Sequence, residues 1–290
     1  MINTLPLSIF LFLLLLIGSA TPGLLQAEEQ SRLMQNISSE VPYGIIDPKL
    51  LQIGYSGSEK LEYDVSWSGG VKIGELHLEI KKLDDAGDSY EINTLVTTQG
   101  GLINLIYPIR DTHITHVRGS KRLPFRYEIW QKEGYNYEAH RLTEYDQEKG
   151  DIRLWKNGKD EGEYKVDGEV NNEFSSFFNS RLMEFKVGEK FIVPTFADKK
   201  RVEVVVNTVA KKDFAKTVIG DVSTVEIMPI MTFKGLYDKK GDTIIWYTDD
   251  ECRVPVLINS KIVIGSLTAR LAVYENSACT LYEPVKRNKE

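Results

Sequence analysis

Asp111 and His113 are the two residues with the clearest potential for chemistry. They lie two positions apart in a segment, residues 109–117, whose alternating pattern predicts a strand, so both side chains should point to one face. A partly buried carboxyl–imidazole pair can exchange protons with a substrate, orient a ligand or supply two metal ligands. The alternative is a hydrogen-bonded pair that only stabilises the fold. Which of these holds depends on the neighbouring strands.

A second candidate is the acidic run Asp249, Asp250 and Glu251, which follows an apolar strand predicted over residues 243–248. Clustered carboxylates bind Ca²⁺ or share a proton, whereas many acidic runs are solvated turns. The sequence has no Gly-x-Ser-x-Gly, His-Glu-x-x-His, P-loop or Gly-x-Gly-x-x-Gly motif. We therefore expect no cofactor, and we favour a protein that is not an enzyme.

An amphipathic helix is predicted over residues 172–185. Its aromatic stripe consists of Phe174, Phe177, Phe178 and Phe185, at helical spacing. Asn171 or Asn172 would cap the start, and Gly188 follows the end. The stripe either packs onto a sheet or plugs the mouth of a barrel, or else it forms an aromatic ligand site. The candidates for such a site are Phe174, Phe177, Phe178 and Trp246, together with Asp111 and His113.

The elements that must position these residues are strands. Apolar residues alternate with polar ones in many segments, for example at Leu61, Tyr63, Val65 and Trp67, which is typical of half-buried antiparallel strands. We expect a mainly β protein: one large antiparallel barrel or curled sheet of roughly a dozen strands. A single domain would cover residues 59–282, preceded by an extended arm at residues 28–58.

The first 27 residues contain no Asp, Glu, Lys or Arg, and residues 5–17 form a compact apolar run. This pattern predicts a signal peptide, cleaved after Ala27 or after Ala20. An uncleaved segment that anchors the chain in a membrane is the alternative, and it is the only membrane attachment that we expect. The predicted destination is the periplasm or cell envelope of a bacterium.

Export changes how the two cysteines are interpreted. Cys252 and Cys279 lie symmetrically about Gly265 and Ser266, so a hairpin that turns there would bring them together at its open end. In an oxidising compartment the pair is expected to form a disulfide. Two unpaired thiols are the alternative.

The charge balance excludes some partners. Lys and Arg number 36 against 42 Asp and Glu, which gives a net charge of −6. This acidic balance argues against a nucleic-acid partner and against a polybasic membrane-surface protein.

The chain resembles the DUF3108 family of exported bacterial proteins of unknown function. The matching motifs run in order through the chain and are LEYDVSW with a following Gly74, YPIRD at residues 107–111, LPF at residues 123–125, the helix at residues 173–181, IWYTDD at residues 245–250, RVP at residues 253–255 and SKIVIGSLTARL at residues 260–271. At the start of the helix the family tends to have Asp, whereas this chain has Asn172 and Glu173. The resemblance implies a mostly antiparallel β fold in the periplasm or envelope, and it supplies no catalytic residue.

Three functions are compatible with these patterns. The first is a non-catalytic binding or envelope-maintenance protein whose interior holds a lipid, a glycolipid or a peptide-like ligand. The second is an envelope hydrolase that uses Asp111 and His113 or the acidic run. The third is a structural partner of another envelope protein. A deep apolar cavity would favour the first, and a cleft that joins Asp111 and His113 to further carboxylates or a nucleophile would favour the second.

Overall fold

Fourteen strands form one antiparallel sheet in the computed structural model, which describes residues 41–68, 70–84, 88–99, 101–231, 243–262 and 265–287. The strands are β1 (Lys60–Trp67), β2 (Val71–Lys82), β3 (Ser89–Thr98), β4 (Arg110–Arg118), β5 (Leu123–Glu133), β6 (Tyr137–Asp146), β7 (Asp151–Lys156), β8 (Lys159–Lys165), β9 (Lys190–Ala197), β10 (Lys200–Thr217), β11 (Gly220–Met231), β12 (Thr243–Thr248), β13 (Pro255–Lys261) and β14 (Ser266–Glu275). The helices within these ranges are α1 (Pro48–Gly54), α2 (Gly101–Ile106) and α3 (Glu173–Ser180).

The sheet is curled and is not closed by a complete ladder. Its order, β8-β7-β6-β5-β4-β3-β2-β1-β14-β13-β12-β11-β10-β9, leaves β8 and β9 at the two edges. We call the gap between these edges the seam. Beyond β8, Asn171 bridges it: its N–H donates to Pro194 O (2.8 Å) and its C=O accepts from Phe196 N–H (2.7 Å). Of the two predicted architectures, the curled sheet is therefore the observed one.

Period-two alternation identified the strands correctly because one face of each strand is buried. In β3 the buried positions are every second residue, from Tyr90 to Val96. The turn between β7 and β8 is formed by Asn157 and Gly158, which both have positive φ (52° and 75°) and thus suit the twist of a tight hairpin. The structure has fourteen strands, whereas roughly a dozen were predicted, because some neighbouring strands are joined by connections too short to be recognised from composition.

Helix α3 lies inside the curl and is shorter than predicted. The apolar periodicity continues to Phe185, but the helix ends at Ser180. The reason is a tertiary contact. The chain just before α1 forms backbone hydrogen bonds with the residues that follow Ser180: Asp47 N–H donates to Leu182 O (2.8 Å), and Ile46 forms a β-bridge with Met183. The predicted helix over 172–185 is therefore too long at its C-terminal end.

The arm predicted over residues 28–58 is not extended throughout. Its second half contains α1, in which Pro48 occupies the first turn and the Asp47 side chain accepts the N–H of Lys49 (2.7 Å) as an N-cap. Residues 28–40 and the predicted signal segment, residues 1–27, lie outside the described residues. Among the helices that are described, none is long and apolar enough to cross a membrane.

The predicted disulfide is confirmed. Cys252 precedes β13, Cys279 follows β14, and their Cα atoms are 5.5 Å apart across the open end of this hairpin. The carboxylate of Asp250 accepts the N–H of Cys252 (2.8 Å) and so fixes the turn in which that cysteine lies.

A fully buried ion pair holds α3 in place. The guanidinium of Arg181, at the C-cap of α3, bonds the carboxylate of Glu59, which immediately precedes β1. Arg181 is 0% exposed and Glu59 is 1% exposed. Asn276 donates a further bond to Glu59 (3.3 Å), and the ring of Phe178 lies beside the guanidinium at 5.0 Å. Burial raises the pKa of Glu59, and the charge of Arg181 opposes that rise.

Removing one partner of this pair should destabilise the fold strongly. We expect Arg181→Met to lower the free energy of unfolding by about 3–5 kcal/mol, because Glu59 is left as an uncompensated buried charge. Urea denaturation followed by tryptophan fluorescence measures the change. The matched control is Arg153→Met, which removes an exposed pair with Asp160 and should leave the unfolding midpoint unchanged. Adding Glu59→Leu to Arg181→Met should restore most of the stability, and a double variant as unstable as the single one would contradict this account.

Candidate ligand-binding site

The first turn of α3 places a carboxyl group inside the curled sheet. Asn172 forms a capping box with Ser175: its side chain accepts Ser175 N–H (2.8 Å), and the Ser175 hydroxyl accepts Asn172 N–H (2.9 Å). The Asn172 amide also donates to the hydroxyl of Thr115 on β4 (2.8 Å). The start of the helix is thereby fixed to the sheet, and Glu173, the next residue, projects into the interior.

An apolar cavity of about 130 Å³ lies between α3 and the inner faces of eight strands, β1–β3 and β10–β14. Phe177 borders it from the helix, and Glu173 is the one ionisable residue among the described residues that line it. Its apolar wall includes Val65, Val204, Ile245, Ile258, Leu267 and Ala269. A dry cavity of about 150 Å³ with such a lining takes up benzene or xenon, so this volume is sufficient for part of an apolar ligand.

A second cavity, of about 170 Å³, lies beside the seam, and we call it the seam cavity. Its apolar wall includes Ile129, Leu142, Leu154, Phe174 and Phe196, and its polar lining includes His113, Arg141, Thr143, Glu161, Glu173 and Lys199. At its outer end Lys199, in the turn between β9 and β10, lies 3.6 Å from Glu161 of β8. This exposed pair spans the seam.

Glu173 belongs to the walls of both cavities. It is half-buried because its carboxyl faces these two spaces, and its surroundings withhold bulk water. Burial raises the pKa of Glu173 to about 7, and a hydrogen bond with its own backbone N–H opposes the rise. Glu173 in turn helps to raise the pKa of Tyr127 and Tyr145, which places its charge near both phenols. A carboxyl of this kind is protonated in part at neutral pH and can donate or accept a hydrogen bond.

His113 and Tyr127 form a buried hydrogen-bonded pair on β4 and β5. The distance from His113 Nδ1 to Tyr127 Oη is 2.8 Å, and His113 is 4% exposed. Burial lowers the pKa of His113 to about 3, so the imidazole is neutral. When the Tyr127 hydroxyl donates to Nδ1, the ring proton resides on Nε2, which is then a donor toward the seam cavity. The ring of Phe174 lies 4.9 Å away and holds the imidazole in place.

Asp111 shares the inner face of β4 with His113, as alternation predicted, but its partners are different. Its Oδ1 accepts Lys132 N–H (2.8 Å), and it lies against the buried carboxyl of Glu133. Burial, followed by the charge of Glu133, raises the pKa of Asp111 to about 8. Gln131 donates to Glu133 (3.3 Å) and accepts from Arg141 Nε–H (3.1 Å). The predicted acid–imidazole pair is thus replaced by two separate pairs.

The four aromatic candidates lie in four different places. Phe174 packs on His113 beside the seam cavity. Phe177 lines the apolar cavity, and the centre of its ring lies 6.2 Å from that of Tyr247. Phe178 packs beside Arg181 in the core and lines neither cavity. Trp246 points to the other face of β12, where its Nε1–H donates to Glu226 (3.1 Å). The structure therefore does not bring Trp246 to the interior site.

The acidic run is not assembled into a metal site. Asp249 bonds Lys211, Asp250 accepts N–H groups in the turn before β13, and Glu251 is exposed. Within the ranges that the structure describes, no three His, Cys, Asp or Glu side chains are close enough together to hold a metal ion. The solvated-turn interpretation describes this segment better, with the addition that Asp250 orders the backbone at Cys252.

Sequence reasoning missed Glu173, Tyr127 and Arg141 as site residues. Glu173 was noticed only as a departure from the family pattern. A partial signal was present, since Glu173 lies between a predicted cap and Phe174 of the aromatic stripe. Arg141 had no such signal. Its segment alternates, but the pairing of Arg141 with Ile129 of β5, which puts its side chain on the inner face of the sheet, is not visible in the sequence.

Comparisons with known proteins support the fold. A model of DUF3108, described as a protein of unknown function, matches residues 62–272. Among solved structures, a β-barrel-like protein of the domain of unknown function DUF1849 from Brucella abortus is similar, with a TM-score of 0.52 and 12% identity; the match covers 75% of this chain and 97% of that one. At this identity the likeness shows a shared fold. No curated protein matches the chain.

Glu173 should make the stability of the protein depend on pH. Its pKa is about 7 in the folded state against an ordinary value of 4.5, so the folded state holds this proton more tightly than the unfolded chain. The free energy of unfolding of the native protein should therefore fall as the pH rises from about 4.5 to about 7. Glu173→Gln removes this term, and we expect it to be more stable than the native protein by about 1–3 kcal/mol at pH 8 and equally stable at pH 4.

Urea denaturation across this pH range measures the difference between variant and native protein, which isolates Glu173 from the other buried carboxyls. Glu184→Gln, at an exposed position near the end of the same segment, is the control and should show no pH-dependent difference. A constant offset between Glu173→Gln and the native protein at all pH values would contradict the shifted pKa.

Proposed function

The chain belongs to the DUF3108 family of proteins of unknown function, and we propose that it is a non-catalytic binding protein for an apolar ligand such as a lipid, a glycolipid or a peptide-like molecule. The observation that carries the proposal is the apolar cavity between α3 and the curled sheet. Its wall is hydrocarbon on nearly all sides, and one carboxyl, that of Glu173, is available to orient a bound molecule.

The energetics of an empty cavity support a ligand. At about 24 cal/mol per Å³, an unfilled apolar volume of about 130 Å³ costs about 3 kcal/mol in lost packing contacts. The cavity cannot shrink easily, since its wall is a hydrogen-bonded sheet and α3 is fixed by the pair of Arg181 and Glu59. An apolar ligand would regain these contacts and stabilise the folded state by mass action.

The hydrolase alternative has less support from the geometry. Asp111 and His113 are engaged with different partners, Glu133 and Tyr127. The neutral imidazole of His113, with its pKa near 3, is a poor general base at neutral pH. The acidic run at residues 249–251 lies at the turn before β13, apart from both cavities.

The proposed location is the periplasm or cell envelope. Two observations support it: the charge-free apolar segment at residues 1–27 and the disulfide between Cys252 and Cys279, a bond that persists mainly in oxidising compartments. The mature protein would begin after Ala27 or after Ala20.

Filling the apolar cavity should weaken binding. The protein is purified from its own envelope, its bound molecules are recorded by native mass spectrometry, and it is then delipidated and titrated with the apolar fluorophore N-phenyl-1-naphthylamine. We expect Ala269→Leu, which adds a branched chain into the cavity, to weaken binding of the fluorophore by about tenfold or more, since the added methyl groups occupy ligand volume. Ala215→Leu, the same change at an exposed position of β10, should bind like the native protein.

A folded Ala269→Leu variant that binds the fluorophore like the native protein would show that the cavity is not the site. A native protein that is purified empty and binds no fluorophore would contradict the binding function and favour the structural-partner alternative.

The export proposal predicts that residues 1–27 direct secretion. Fused to alkaline phosphatase lacking its own signal, which is active only after export, this segment should give an active enzyme in a bacterial host. Replacing Leu13 and Leu14 by Arg in the fusion should abolish the activity, because the apolar run is interrupted. An inactive fusion that accumulates in the cytosol would contradict export by this segment.

A further inference from the structure

Two hydrogen-bond donors face the seam cavity with unused capacity. Arg141 Nε–H donates to Gln131 Oε1, but no carboxylate in the described ranges lies within ion-pair distance of its guanidinium. His113 is 96% buried, its Nδ1 is bonded to Tyr127, and its Nε2 has no partner among the described residues. Half-buried cations and buried imidazoles are normally paired, so this combination points to an acceptor from outside the chain.

The register of the sheet places these two donors on the same side of the same cavity. His113 is opposite Ile129, and Ile129 is opposite Arg141, on the adjacent strands β4, β5 and β6. The Cα atoms of His113 and Arg141 are therefore about 10 Å apart, with both side chains on the inner face. The charge of Arg141 reaches Tyr127, the residue that bonds His113, since it helps to lower the pKa of that phenol against the effect of burial.

The arrangement around Arg141 is one that holds the guanidinium in position. Gln131 accepts from its Nε–H and donates to Glu133, so the amide lies between the cation and the buried carboxyl pair of Asp111 and Glu133. Arg141 lines the seam cavity, and no hydrogen bond to a described residue occupies its two terminal nitrogens. A guanidinium that is held through Nε and presents its terminal nitrogens is suited to a planar, bidentate acceptor such as a carboxylate.

The charge of the surroundings limits the acceptor to one negative charge. Lys199 at the mouth of the cavity is offset by Glu161 at 3.6 Å, and the mouth also carries Asp198. Gln131, which accepts from Arg141, also donates to the carboxyl of Glu133. A dianion such as a phosphate monoester would be repelled by these groups, whereas a single carboxylate is balanced by Arg141.

We propose that the seam cavity binds the carboxylate of a fatty-acid-like monoanion, with Arg141 and His113 Nε2–H donating to its oxygens and its alkyl chain running past Glu173 into the apolar cavity. Glu173 lines both cavities, so the chain has a common wall to follow. The inference rests on the proposed binding function and adds to it the chemical class of the headgroup and the residues that recognise it.

Three probes with the same chain and different headgroups test this inference on the delipidated protein: decanoate, decanol and decyltrimethylammonium, titrated by calorimetry below their aggregation concentrations. We expect the affinity for decanoate to exceed that for decanol by a factor of about ten or more, and decyltrimethylammonium to bind most weakly. Arg141→Gln should reduce the ratio of decanoate to decanol affinity to near one. Arg153→Gln, a change of the same kind at an exposed position of β7, should leave that ratio as in the native protein.

A second measurement uses the native protein and therefore requires no variant. The chain has four histidines, and His113 is buried whereas the other three are partly exposed, so its imidazole ¹⁵N resonances are distinguishable in histidine-labelled protein. Decanoate should shift the His113 Nε2 resonance, and decanol should leave it in place. Equal affinities for decanoate and decanol, with no shift at His113, would overturn the headgroup site and leave the apolar cavity as the binding site. If none of the three probes binds, the proposed function itself is contradicted.

Discussion

The buried ion pair of Arg181 and Glu59 is the interaction on which the interior depends. A curled sheet of fourteen strands cannot fill its own interior with side chains from one face, so a helix must enter it. Phe174 and Phe178 bury their rings in the core, but apolar contacts are not directional and do not by themselves specify one position of α3. A charge-assisted bond at its C-cap to the residue before β1 selects one position, because any other leaves two buried charges unpaired.

With its C-terminal end fixed, α3 has a defined position for its first turn as well. The capping box and the bond from Asn172 to Thr115 hold the first turn against β4, so Glu173 becomes the wall between the apolar and seam cavities. The helix thus fills the central part of the curl and leaves space on both sides of its first turn. One space is hydrocarbon and the other contains donors, an asymmetry that matches a molecule with a chain and a headgroup.

The strands, the helix and the disulfide were predictable from the sequence because each depends on local spacing. Alternation at Leu61, Tyr63 and Val65 reports burial of one face, and the symmetric placement of Cys252 and Cys279 follows from one hairpin. The convergence of Arg141, His113 and Glu173 was not predictable, since it requires the register across three strands and the curl that brings α3 against them. The early end of α3 was missed for a related reason: Asp47 N–H donates a hydrogen bond to Leu182 O, and local periodicity does not reveal such a tertiary contact.

The seam is the part of the curled sheet that is not closed by a ladder of backbone hydrogen bonds. Between β8 and β9 the backbone ladder is replaced by the bridge at Asn171 and by side-chain contacts, such as Lys199 with Glu161 and Tyr164 with Phe196 at 6.1 Å. The pair of Lys199 and Glu161 is exposed, and separating such a pair costs far less than breaking a ladder of backbone hydrogen bonds. The seam cavity lies directly behind these contacts. If the proposed binding function holds, a ligand would enter where the wall is weakest, while the ladders on all other sides keep the shape of the cavity.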